Sequence, residues 1–220
     1  NDNLISIPLG LSGNYSSKNL TPKYFNNLPE SNLWKEKSNL LYINFQKNTN
    51  LKERENLLNY FNKKNWVKIE KPTLSLKEYF DNLQNSKFVL CPFGNGYDTH
   101  RLWECIYAGT IPIILDHIAY KNTENLPVLI VKDFKEINEN FLNKKYKEIK
   151  DSKYKFEKLN VAYWINIIDQ DGLESKELIN VNISQIQIKK IIYFYKLNRF
   201  VNRLQKITMF RLNQVKKLFN

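Results

Sequence analysis

Cysteine and histidine are scarce in this chain, two of each in 220 residues. Cys91 and Cys105 are too few for the multi-bridge framework of a small secreted domain. With His100 and His117 they give no three-ligand metal set, so no metal is expected. Cys91 falls on an apolar, β-rich run and Cys105 on the apolar face of a helical pattern. Both read as buried thiols, compatible with a reducing compartment. Long apolar runs are also missing: nothing approaches the roughly eighteen uncharged residues a membrane-spanning helix needs. The chain opens NDNLISIPLG, without Met and without a basic stretch ahead of an apolar core. That is the expectation for a piece of a longer protein without a leader, placed in the cytoplasm or at a membrane periphery.

Glycine is sparse too, six in all. No Gly-Lys-Ser/Thr follows any glycine turn, which excludes a Walker loop. Gly94 and Gly96 would need a third glycine at position 99 for the dinucleotide fingerprint, and that position is Thr99. A classical NAD site is therefore disfavoured. The one Asp-x-Asp, Asp169-Gln-Asp171, comes after a helical pattern and reads as a turn. Acidic residues are outnumbered 22 to 34 by Lys and Arg, for a net charge of +12.

What is present is a globular composition, 42% hydrophobic and 14% aromatic, in a chain long enough to bury a core. Residues 1–39 read as an interdomain segment, with one strand at Ile5-Ser-Ile-Pro-Leu-Gly and with Tyr15, Tyr24, Phe25 and Trp34 docking on the neighbouring lobe. A regular alternation begins at Leu40. Strands are expected at Leu40 to Phe45, Trp66 to Glu70, Lys87 to Phe93, Ile111 to Leu115 and Leu126 to Lys132. Helices are expected from Leu51 to Lys64, with Leu51, Leu58 and Phe61 apolar, and after Pro72-Thr-Leu-Ser, with Leu76, Tyr79, Phe80 and Leu83 on one face. Another runs from an Asp98 or Thr99 cap to about Ala108, stopped by Gly109. Later helices span Ile137 to Lys150 and Phe156 to Asp169, the second with Val161, Trp164, Ile165 and Ile168 on its apolar side. The fold class is α/β, a Rossmann-like parallel sheet flanked by helices over residues 40–170.

Residues 171–220 form a basic amphipathic helical tail in this reading. From Ser175 onward it holds ten Lys/Arg against one acidic residue, Glu177. Three roles are open: contact with an anionic membrane surface, a solvated linker, or nucleic-acid binding. Nucleic acid comes last, because no recognised module is present.

Chemistry concentrates in Ser86 to Asp116, SKFVLCPFGNGYDTHRLWECIYAGTIPIILD. Strand, glycine turn, helix and strand make a βαβ unit, which places a ligand at the strand's carboxyl end and the helix's amino end. In the turn, Gly94 and Gly96 suit positive φ or close approach of a ligand. On the helix, Leu102, Cys105, Ile106 and Gly109 share the sheet-facing side, while Arg101 and Glu104 lie together near the start. Spacing leaves that pair two readings. It is a surface i, i+3 ion pair, or Arg101 offers its planar fork to a phosphate while Glu104 accepts from sugar hydroxyls.

The run FVLCPFGNGYDTHRLWECIYAGTIPIIL resembles the donor-binding segment of exostosin-type glycosyltransferases and related GT-B enzymes. The matching positions are Cys91, Pro92, Gly94, Arg101, Glu104, Ala108, Gly109, Ile111 and Pro112. The resemblance implies one lobe of a GT-B fold, with Arg101 on the diphosphate of a nucleotide sugar and Glu104 on the ribose. It firmly covers residues 40–135. Gly94, Asn95, Gly96 and Thr99 would line the donor's approach. Arg54, on the first turn of a helix where related enzymes often carry a base, would reach a phosphate. Asn44, Lys47, Asn48 and Thr49 face the same edge. Asp116 and His117 are the candidates for direct chemistry, and His100 for a phosphate contact or a proton carrier. The implied reaction moves a sugar from a nucleoside diphosphate sugar to a hydroxyl of a glycan or similar acceptor, with no other cofactor. A general base in a lobe outside this chain fits that picture. The competing reading is a non-catalytic basic module that keeps the Rossmann-like lobe as scaffold.

Overall fold

A computed structural model describes residues 6–13, 19–25 and 29–172 of the chain. The readings of the basic tail beyond residue 172, and of Tyr15, lie outside the described residues. The first compact unit of the chain runs Asn1–Asp169.

Five parallel strands form the sheet: β1 Asn39–Ile43, β2 Val67–Ile69, β3 Ser86–Leu90, β4 Ile111–Leu115 and β5 Leu129–Val131. Their order is β2-β1-β3-β4-β5, with Leu41 beside Phe88, Phe88 beside Ile111 and Ile113 beside Leu129. The helices are α1 Glu30–Leu33, α2 Leu51–Phe61, α3 Leu76–Gln84, α4 His100–Tyr107, α5 Glu139–Lys150 and α6 Val161–Gly172.

Because side chains alternate across a strand, the sheet buries two cores. On one face Leu41, Ile43, Phe88, Leu90, Ile111 and Ile113 pack with Leu57 and Phe61 of α2 and Leu142 of α5. On the other Tyr42, Val89, Cys91 and Ile114 pack with Tyr79 and Leu83 of α3 and Leu102, Trp103 and Ile106 of α4. Burial on both faces explains why these strands are apolar throughout. The doubly wound α/β lobe read from the sequence is the observed architecture.

Boundaries shift for local reasons. β3 ends at Leu90; the Cys91 N–H still bonds Ile113 O at 2.9 Å, but Pro92 has no N–H to extend the ladder. β5 starts only at Leu129, after Asn125 turns the chain at φ 66°. α3 begins at a capping box in which Ser75 and Glu78 satisfy each other's backbone N–H groups. α4 ends as expected at Gly109, φ 71°. There Gly109 N–H bonds Ile106 O, and Thr110 N–H bonds Cys105 O, the paired bonds of a Schellman motif.

Other expectations are corrected. Residues 6–13 contain no strand; their backbone bonds to the lobe instead. Leu51 is 59% exposed, and the buried positions of α2 are Arg54, Leu57 and Phe61. α2 stops at Phe61 rather than Lys64. α6 starts at Val161, behind a 3-10 turn at Glu157–Leu159, rather than at Phe156. Of its apolar stripe Trp164 is buried, whereas Val161, Ile165 and Ile168 are exposed. Tyr24 and Phe25 do dock, against Phe80 and Tyr107, and Trp34 packs on Tyr146.

Candidate functional site

The strand order reverses direction between β1 and β3, so the loops leaving these two neighbours diverge to opposite faces of the sheet. A crevice opens at their carboxyl ends, where doubly wound folds take ligands. A cavity of about 790 Å³ lies there, within the size range of small-molecule sites. Thr49 and Arg54 line it from the β1–α2 side, and Gly94, Thr99, Arg101 and Glu104 from the β3–α4 side.

Arg101 and Glu104 are not a surface ion pair. Glu104 is 2% exposed. Its Oε2 accepts a hydrogen bond from Tyr79 Oη at 2.8 Å, and its Oε1 accepts from the Leu20 backbone N–H at 2.9 Å. Arg101 Nη1 donates to the same Tyr79 Oη at 3.1 Å, with its guanidinium 5.3 Å from the Tyr79 ring centre. Tyr79 thus joins the two residues across α3 and α4. Burial, reinforced by Glu104, holds its hydroxyl well above the usual phenol pKa, so it stays a donor at neutral pH. Arg101 makes no other hydrogen bond among the described residues. Arg101 lines the cavity, and the rest of its fork has no acceptor among the described residues.

Arg54 also lines the cavity, as a buried side chain rather than a solvated helix charge. It is 7% exposed. Its Nε donates to Phe93 O at 3.1 Å, Nη1 to Gln46 O at 2.6 Å and Nη2 to Pro92 O at 3.1 Å. Burial, followed by the charge of Arg101, lowers its pKa to about 10. Two guanidinium groups thus repel one another beside one cavity.

Gly94 and Gly96 both line the cavity, but neither has positive φ. Gly94 is needed for close approach: a Cβ there would lie 3.0 Å from Arg54 Nη2 and 3.2 Å from Thr49 Oγ1. Thr49 Oγ1 is itself buried without a hydrogen-bond partner. Thr99 is the N-cap of α4, yet its side chain bonds none of the helix N–H groups. Asp98 does not cap the helix either. Its carboxylate accepts from Leu9 N–H at 2.8 Å and from Trp103 Nε1 at 2.7 Å, and burial raises its pKa. The amino-terminal segment therefore contacts this edge of the lobe at Asp98 and Glu104.

The sequence profile of the RXYLT1 C-terminal domain matches residues 17–171, which include both cavity-lining loops. The chain belongs to that family. It is a glycosyltransferase-related domain. No curated protein matches the chain.

Within this family domain the two histidines differ. His100 lines the cavity, and its Nδ1 lies 2.8 Å from Gly10 O. A carbonyl only accepts, so Nδ1 carries the proton. His117 accepts from the Ala119 backbone N–H at Nδ1, which puts the proton of the neutral ring on Nε2. Its ring stacks on Tyr97 with centroids 3.5 Å apart. Neither His117 nor the exposed Asp116 lines the cavity, so the structure does not bring these two together with Arg101. Asn95 does join the lining. Among the described residues no group of three His, Cys, Asp or Glu is placed to hold a metal.

Tyr79 and the Leu20 backbone were not legible as site groups. Tyr79 shows in the sequence only as one apolar position of α3, and nothing signals which residue its hydroxyl meets. Leu20 sits in a polar stretch, and its role is carried by a main-chain N–H.

Proposed function

We propose that the cavity binds a nucleoside diphosphate sugar and that the chain is the donor-binding lobe of a glycosyltransferase. The observation carrying this reading is the Arg101 fork, oriented by Tyr79 and turned to a cavity at the switch point of the sheet. A diphosphate would occupy those donors. The uncapped start of α4 adds N–H groups and a favourable dipole. Gly94, Asn95, Gly96 and Thr99 lie along the ligand's path. Glu104 stands at the ribose end, as the resemblance to exostosin-type enzymes implies, and a carboxylate with two bonds made retains acceptor capacity for a hydroxyl.

In the proposed reaction a hydroxyl of a glycan or similar acceptor displaces the nucleoside diphosphate from the sugar's anomeric carbon. Arg101 stabilises the charge that develops on the leaving diphosphate, the role a metal plays in other sites. If configuration inverts, a base must take the acceptor proton. Asp116 and His117, outside the cavity, stand apart from the proposed leaving group.

A thermal-shift panel tests the reading, using UDP, GDP, CDP and their sugar conjugates. A ligand at about 100 times its Kd stabilises by about 2.7 kcal/mol, a shift of several degrees for a domain of this size. One nucleotide should raise the melting temperature. No shift with any of them would count against a donor site.

A further inference from the structure

We propose that Arg54 is a positioning residue that holds the donor turn in shape, and that it does not bind the donor phosphate. This rests on the donor reading above. Three donor atoms of one side chain reach carbonyls in two loops, Gln46 after β1 and Pro92 and Phe93 after β3. These loops diverge at the switch point and have no ladder to join them. Within the turn itself one backbone bond closes the glycines, Gly94 N–H to Gly96 O at 3.0 Å.

The planar guanidinium matches three separately placed carbonyls in a way that an ammonium does not, because its donors spread over a rigid fork. Phe45 supports the group from another side, 5.3 Å from ring centre to guanidinium carbon. Gly94 completes the fit, since any Cβ would press on Nη2. Arg54 thereby sets where the 92–97 backbone runs, and so where the turn can meet a ligand. The carbonyls it satisfies are main-chain groups, so geometry decides its role and net charge is secondary.

The two roles separate experimentally. Arg54→Lys keeps the charge and loses the fork, Arg54→Met loses both, and Arg101→Met serves as the phosphate-contact control. UDP affinity is measured by calorimetry at several salt concentrations, and amide hydrogen exchange is followed at Gly94 to Tyr97. Positioning predicts that Lys fails to rescue: both Arg54 variants weaken UDP about tenfold or more, the salt dependence of the remaining affinity is unchanged, and exchange in the turn accelerates. Arg101→Met should flatten the salt dependence and leave exchange in the turn alone.

Near-native binding by Arg54→Lys, or a flattened salt dependence with unchanged exchange in Arg54→Met, would overturn the proposal in favour of a direct phosphate contact. If the unaltered chain binds no nucleotide, the donor reading fails, and unchanged exchange in both Arg54 variants would still reject the clamp. If Arg54→Met does not fold, Gly94→Ala keeps every charge and crowds Nη2. It must then reproduce the faster exchange, and its failure to do so rejects the clamp.

Discussion

Tyr79 donates its hydroxyl hydrogen to Glu104 Oε2 across 2.8 Å while accepting from Arg101 Nη1. One phenol from α3 thus fixes both charged residues of α4. Tyr79→Phe keeps the ring under Arg101 and removes both bonds. It leaves a buried carboxylate short of a donor, which costs about 1–3 kcal/mol. Urea unfolding should show that loss as a lower midpoint with an unchanged slope. UDP binding should weaken as Arg101 loses its orientation.

Gly109 does two jobs at the end of α4. Its φ of 71° suits glycine, and a Cβ would sit 2.7 Å from Leu33 N and 2.8 Å from Asn32. Backbone on the far side cannot swing away as a flexible side chain can. Gly109→Ala is expected to cost about 2 kcal/mol or more, beyond the roughly 1 kcal/mol of a left-handed alanine alone. The fall in urea midpoint measures it, and a change under about 0.5 kcal/mol would contradict the packing described.

Lys37 gives a pH dependence. It is 6% exposed, and Nζ donates to Gln84 O at 2.6 Å. Burial, then the nearby Lys35, lowers its pKa to about 8, against about 10.4 when unfolded. Between those values the unfolded chain binds more protons, so this group's contribution to stability rises as pH climbs from 8 towards 10.4. Below pH 8 the folded state bears the cost of a buried charge. Lys37→Met removes this titration, so the stability difference between the unaltered chain and the variant should move in favour of the unaltered chain by on the order of 1–3 kcal/mol as pH rises from 8 to 10.4. Thermal melts across pH 7–10 check the sign.

The scaffold was legible because its signals are local. Apolar strands, the helix start after Pro72-Thr-Leu-Ser and the Gly109 stop can each be read within a few residues. The site was legible only in part. Arg101, Glu104 and Gly94 stand out within one βαβ unit, but Arg54's bonds depend on β1 lying beside β3. The Tyr79 bridge depends on α3 and α4 packing side by side. The stripe Val161, Ile165 and Ile168 shows the opposite limit: helical period reveals an apolar face but not whether anything covers it. Leu20 is buried in a stretch whose polarity predicts a surface, because its own side chain joins the core cluster that holds Tyr79 and Leu83 while its N–H bonds Glu104.

The donor site is tested most directly by calorimetric titration of the chain with UDP, GDP and their sugar conjugates, beside Arg101→Met. Saturable one-to-one binding of one nucleotide is the expected result, weakened at least about tenfold by the substitution, the loss of a charge-assisted bond. Binding of equal strength in Arg101→Met, or no binding by an unaltered chain shown to be folded, would contradict a donor site built on Arg101.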